Sequence, residues 1–93
     1  MHDWVLNNIL INWIDGNIEI HLKNNSSEGY ILFCKDFSNI KIPRQNDWGE
    51  SISINETSKI HTQINGNSSM IIEMQSGDKI ILEAKEFRLS KME

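Results

Sequence analysis

The chain has 93 residues and a mass of 10.8 kDa, which allows a single domain with one small hydrophobic core. Hydrophobic residues make up 39% of the chain and charged residues 24%, so the composition excludes an intrinsically disordered protein. No apolar run approaches the ~18 residues of a membrane span, and we expect no membrane partner. The net charge is −4 and the nine basic residues are scattered, so we expect no nucleic-acid partner.

We expect residues 1–93 to form one cytoplasmic domain. The first residues lack the basic and apolar regions of a secretory signal. The single cysteine, Cys34, excludes an intramolecular disulfide and suits a reducing compartment. Sixteen isoleucines and eleven asparagines, against one alanine and one proline, favour strands joined by turns.

The first predicted element is a hairpin within residues 9–23. Asp15-Gly16 favours a two-residue type I′ turn, in which Gly16 has positive φ. That turn places Trp13 opposite Ile18, Ile11 opposite Ile20 and Ile9 opposite Leu22, and these apolar pairs share one face because side chains alternate along a strand.

The sequence pattern in the middle of the chain predicts several short strands. Residues 30–35 are almost continuously apolar, which predicts a strand covered on both faces with Cys34 buried, although periodicity alone also allows a short buried helix. Residues 40–42 alternate and predict a further strand, which Pro43 ends. Residues 51–55 alternate as well, whereas residues 56–63 fit either one helical turn or an irregular strand.

A second hairpin is predicted within residues 69–84. A three-residue loop, Gln75-Ser76-Gly77, makes the apolar positions of both strands face the same way, with Gly77 in the left-handed conformation. It places Ile72 opposite Ile80. We find no internal repeat beyond the two hairpins. The predicted fold is all-β: a single small antiparallel sheet of six or seven strands, curled into a barrel or sandwich, with at most one short helix.

The histidines, the cysteine and the absence of catalytic motifs lead us to expect that the protein is not an enzyme. His2, His21 and His61 are spread over sixty residues without ligand spacing, so we expect no metal site. Cys34 lies in the most apolar run, where a cysteine usually acts as a small hydrophobic side chain. The sequence contains no nucleophile motif, phosphate loop or dinucleotide fingerprint, so we expect no catalytic residue and no cofactor.

The candidate partner-binding residues centre on Trp48 in the polar loop of residues 44–50. Loops carry function more often than strands do, and tryptophan is enriched at interface hot spots. Nearby acids complete the set: Asp36, Asp47, Trp48, Glu50 and Glu56. The alternative for Trp48 is a structural role, in which the ring folds back and plugs one end of the sheet.

Several short phrases resemble small bacterial proteins of about this length. They are His2-Asp3-Trp4, Pro43-Arg44 with Trp48-Gly49, residues 51–56, and residues 74–78. The size, acidity and Asn/Ile-rich composition are also similar to immunity proteins, which neutralise the toxins of contact-dependent growth inhibition systems. Members of that class have unrelated folds, so the resemblance implies a function and no particular site residue.

We therefore expect a protein-binding inhibitor, an immunity protein whose partner is a basic toxin such as a nuclease. An acidic inhibitor is steered toward a cationic active site, and its carboxylates take the positions of phosphates. The alternative is a structural or regulatory β-domain without catalytic activity, which self-associates as a homodimer through a sheet edge.

Overall fold

The computed structural model describes residues 1–45 and 53–92, and these residues form seven strands and no helix. The strands are β1 (Val5–Asn12), β2 (Asn17–Lys23), β3 (Gly29–Lys41), β4 (Ile54–Thr57), β5 (His61–Thr62), β6 (Ser68–Met74) and β7 (Lys79–Lys91). They form one antiparallel sheet in the order β1-β2-β3-β7-β6-β4, and β5 also pairs with β6. The all-β prediction is confirmed.

The core lies on one face of the sheet because apolar side chains alternate along the strands. Eleven residues are buried in it: Ile18, Ile20, Leu22, Leu32, Cys34, Ile54, Met70, Ile72, Ile80, Leu82 and Ala84. The sheet curls around them until the two outer strands meet at one point. There Val5 bridges Ser53, and the Ile54 N–H donates to the Trp4 carbonyl at 2.8 Å. Over the described residues the sheet does not close, so it matches the predicted barrel or sandwich only in its curl.

The first hairpin has a different register from the predicted one. Ile11 lies opposite Ile18, whereas Ile20 pairs with Ile9. The predicted Ile11–Ile20 pair is wrong because the loop contains four residues, 13–16, rather than two. The shift is by two residues, so the side chains that remain in the two strands keep their predicted faces, whereas Trp13 and Ile14 now belong to the loop. Gly16 has the predicted positive φ, of 71°.

The second hairpin confirms its prediction. Ile72 lies opposite Ile80, and Glu73 lies opposite Lys79. The Met74 N–H donates to the Asp78 carbonyl at 2.8 Å, which closes a three-residue loop. Gly77 has a φ of 95°. Turn chemistry and apolar alternation therefore select the same register in this hairpin.

The middle of the chain is more regular than predicted. Residues 30–35 and 40–41 belong to one strand of thirteen residues, β3, instead of two short strands. An irregularity between Phe37 and Asn39 admits one extra residue and lets β3 stay paired with β7 along its whole length. Residues 56–63, predicted as a helical turn or an irregular strand, contain the end of β4 and the short strand β5.

The sheet is built from two copies of one unit, an internal repeat that the sequence analysis did not find. Adding 50 to each residue number of the β2–β3 register reproduces the β6–β7 register at all six pairs. The Ile20–Leu32 pair, for example, becomes Met70–Leu82. Residues 14–41 and 64–91 have the same residue at nine of 28 positions. In the first copy, the shared residues are Ile14, Gly16, Asn17, Ser26, Ile31, Leu32, Lys35, Phe37 and Lys41.

The loops of the two copies repeat as well. Asn24 and Ser27 form the same two backbone hydrogen bonds as Met74 and Gly77, with Glu28 and Asp78 at the closing position. The two copies meet where β3 pairs with β7, and the pairing at the centre of this contact is reciprocal, whereas the irregularity after Phe37 shifts the register beyond it by one residue. Cys34 lies opposite Phe87, and its counterpart Ala84 lies opposite Phe37. The copies are therefore related by a pseudo-two-fold axis, as the subunits of a symmetric dimer are.

Candidate protein-binding face

The loop at the end of the first hairpin is held by the side chain of Asn12. Its Oδ1 accepts a hydrogen bond from the Asp15 N–H at 3.1 Å, and its Nδ2 donates to Asp15 Oδ2 at 3.1 Å. The Gly16 N–H donates to the Asn12 carbonyl at 2.9 Å. Such local side-chain bonds fix a turn without help from the core. The loop consequently presents Trp13 and Ile14 to solvent, with exposed fractions of 82% and 94%.

This loop is also fixed against β3. The Phe37 N–H donates to the Gly16 carbonyl at 2.9 Å. The ring of Trp13 meets the ring of Phe37 edge-on, with centroids 6.0 Å apart, an arrangement that aromatic pairs prefer. A Cβ built on Gly16 would lie 3.8 Å from Asp36 Oδ1, which places the Asp36 carboxylate beside the loop. The Trp13 side chain is therefore exposed to solvent but held in one position by its contact with β3.

An open cavity of about 330 Å³ adjoins the loop on the outer face of the sheet. Leu10 and Phe33 supply apolar surface, and Asp15 and Glu19 contribute carboxylates to its lining. The cavity also has Ile11, Asn12 and Asn17 in its wall. The name tip face is used below for Leu10, Trp13, Ile14 and Phe33 together with Asp15, Glu19 and Asp36.

The second copy of the unit shows which features of the tip face the fold needs. In the register of the second hairpin, the counterparts of Leu10 and Ile11 are His61 and Thr62. The counterpart of Phe33 is Glu83. The Gln63 N–H donates to the Asn67 carbonyl, so that loop has three residues, 64–66, and the loop with Trp13 has one more. The same backbone therefore folds with polar residues at these three positions, so folding does not require Leu10, Ile11 and Phe33 to be apolar, whereas Ile14 is matched by the exposed Ile64.

The predicted partner-binding residues are divided by the structure. Asp36 lies beside the loop of residues 13–16, within the tip face. Glu56 is exposed on β4, and in the strand order β6 and β7 lie between β4 and β3. The structure does not bring these two residues onto neighbouring strands. Asp47, Trp48 and Glu50 lie outside the described residues, so their role remains a prediction.

Sequence reasoning missed Trp13 and Ile14. The two-residue turn placed Trp13 opposite Ile18 within the hairpin, on the apolar face. The signal that would have found them is Asn12, which stands three residues before Asp15 and can cap the loop with its side chain. The apolar residues immediately before Asp15-Gly16 then belong to the loop and not to the strand.

In the described part of the chain, the side chains that could bind a metal ion are dispersed and the cysteine is buried. Over residues 1–45 and 53–92, no three His, Cys, Asp or Glu side chains lie close enough together to hold a metal ion. Cys34 is fully buried, and burial raises the pKa of its thiol to about 12. A thiol with that pKa carries almost no thiolate at neutral pH, which is the reactive form. The predicted burial of Cys34 is confirmed.

Comparison with known proteins establishes the fold alone. None of the described residues forms a helix that could cross a membrane. No protein-family model matches the chain, and no similar sequence is found among curated proteins. The fold is similar to the crystal structure of an uncharacterized protein from Neisseria gonorrhoeae, with a TM-score of 0.69. The two chains are 13% identical over 99% of this chain and 94% of the other.

Proposed function

We propose that this chain is a protein-binding inhibitor without catalytic activity, an immunity protein that neutralises a basic bacterial toxin by docking the tip face onto it. The observation that carries the proposal is Trp13, which is 82% exposed yet held in place by its contact with Phe37. Contiguous exposed apolar patches mark interaction sites, and tryptophan is enriched at interface hot spots. The polar counterparts in the second copy support the same interpretation, because folding does not account for the apolar side chains of Leu10 and Phe33.

The composition of the tip face favours a protein partner over a small molecule. Trp13 and Ile14 project outward from a loop and can enter a pocket on another protein, as hot-spot residues do. Three carboxylates, of Asp15, Glu19 and Asp36, lie around this apolar centre. An apolar centre with a polar rim is the usual anatomy of a protein–protein interface.

Charge favours a basic partner. The chain has a net charge of −4, and the tip face contains acidic residues and no basic residue. Opposite charge accelerates the encounter and discriminates against acidic proteins. A toxin that cleaves nucleic acid needs a cationic site for the phosphate backbone, so a nuclease toxin fits this surface.

The test is binding to a catalytically inactive form of the toxin domain encoded by the neighbouring gene. Isothermal titration calorimetry with the unmodified chain should give a stoichiometry of one to one. Ile14→Ala should weaken binding by ~2 kcal/mol, which is about thirtyfold in Kd. Ile64→Ala is the matched control, because Ile64 is the fully exposed counterpart of Ile14 in the second copy. It should leave Kd unchanged.

Charge reversal gives an independent measurement. Asp15→Lys and Asp36→Lys should lower the association rate more than they raise the dissociation rate, and added salt should remove the difference. Equal effects of Ile14→Ala and Ile64→Ala, together with a salt-independent association rate, would exclude the tip face as the binding site.

A further inference from the structure

We infer that the edge of β1, which has no strand beside it among the described residues beyond the Val5–Ser53 bridge, is where a second copy of this chain adds its own β1 to form a symmetric homodimer; this edge shares Leu10 with the tip face. The edge belongs to an outermost strand of the sheet. Among the described residues, its only partner is the single bridge from Val5 to Ser53. From Leu6 to Asn12 the outward backbone groups therefore have no neighbouring strand within the described chain. Unpaired backbone groups of this kind are a template for another strand.

The β1 edge lacks the residues that proteins use to block such pairing. Residues 4–14 contain no charged side chain and no proline. The opposite edge of the sheet is different, since β4 contains Glu56 and the segment leading into β5 contains Lys59. The free parts of β3 and β7 are also charged, with Lys35 in one and Lys85 in the other. Charged edges discourage strand addition, so β1 is the unprotected edge of the described sheet.

The side chains at this edge are apolar on both faces of the sheet. Leu10 and Ile11 point to opposite faces because they are neighbours in one strand, and they are 49% and 47% exposed. An added strand would cover both. Their counterparts in the second copy, His61 and Thr62, are polar, so the fold does not require apolar residues at an edge.

Charge indicates that the occupant is a second copy. Two chains with a net charge of −4 repel each other over most of their surfaces. Along residues 4–14 they meet no like charge, so this neutral strip is where two copies can approach. Antiparallel pairing of β1 with its own copy is isologous, which closes the assembly at a dimer.

The experiment is sedimentation equilibrium of the full chain over a hundredfold range of concentration, with no other protein present. The wild type should approach twice the 10.8 kDa chain mass as concentration rises. Ile11→Lys should remain at the monomer mass, with a dissociation constant raised at least tenfold. Thr62→Lys, at the matched position of the second copy, should dimerise like the wild type. Circular dichroism checks that each variant is folded, and Leu10→Lys replaces Ile11→Lys if the latter unfolds.

Three outcomes would overturn the inference. A wild type that stays monomeric at every concentration excludes the dimer. A dimer that both Ile11→Lys and Leu10→Lys preserve has its interface elsewhere. A dimer that Thr62→Lys also dissociates is not specific to β1. None of these measurements involves a toxin, so the dimer and the proposed inhibitor function can fail separately.

Discussion

If the two halves of the sheet are copies of one unit, then equivalent core positions should contribute similar stability. Leu32 and Leu82 are counterparts, and both are almost fully buried in the core cluster. Replacing either with alanine removes three carbon atoms, worth ~2.4 kcal/mol at ~0.8 kcal/mol each, and leaves a cavity that adds to the loss. We therefore expect each variant to lose ~3 kcal/mol, a large part of the ~5–10 kcal/mol total of such a domain.

Urea denaturation followed by tryptophan fluorescence and far-ultraviolet circular dichroism measures this loss. The midpoint should fall in both variants while the slope stays constant, because the surface exposed on unfolding hardly changes. Leu89→Ala is the control, since Leu89 lies on β7 like Leu82 but is exposed, and it should cost less than ~1 kcal/mol. Losses at Leu32 and Leu82 that differ by more than ~2 kcal/mol would refute the equivalence of the two copies.

Trp13→Ala should cost only ~1–2 kcal/mol of stability, because the buried fifth of a ~250 Å² side chain and its ring contact are all that is lost; a urea titration showing a loss of ~4 kcal/mol would mean that Trp13 is structural. Ser27 has φ of 61°, so Ser27→Gly should stabilise the chain by ~0.5–1 kcal/mol, and Gly77→Ser should destabilise it by ~1–2 kcal/mol, as measured by thermal melts. Native Cys34 should not react with a thiol reagent at pH 8 until denaturant is added. Because the folded thiol has a pKa of about 12 and an unfolded thiol ionises near pH 9, stability should fall as the pH rises between those values, and Cys34→Ala should remove that part of the decline.

The two hairpins explain how far sequence reasoning reaches in this chain. In the second hairpin, the loop with Gly77 and the alternation around Ile72 and Ile80 agree, and the register is confirmed in full. In the first, the Asp15-Gly16 pair suggested a shorter loop than the one that forms. The hydrogen bonds of the Asn12 side chain favour the four-residue loop over the two-residue turn. These bonds depend on a three-dimensional geometry that dipeptide preferences do not describe. The side chains within the two strands still point to their predicted faces of the sheet, because the register differs from the predicted one by two residues.

The repeat was hidden from the sequence for a physical reason. A sheet needs an apolar side chain at an inward position, and many residue types meet that need. Cys34 and Ala84 occupy equivalent buried positions, as do Ile20 and Met70, without being identical. A backbone requirement preserves identity at Gly16, whose counterpart Gly66 also has positive φ. The strand registers reveal the repeat because the two copies pair their strands in the same way even at positions where their residue types differ.

The repeat also changes how the surface of this protein is to be interpreted. An exposed apolar residue on a small domain normally has two explanations, a demand of the fold or a role in binding, and a single structure does not separate them. Here the second copy provides the comparison, because it builds the same hairpin with Glu83 in place of Phe33 and His61 in place of Leu10. Where the copies agree, as at Leu32 and its counterpart, folding is sufficient reason for the residue. Where they differ on the outside, the apolar residue needs another reason, and Leu10, Ile11 and Phe33 of the two proposed surfaces are such residues.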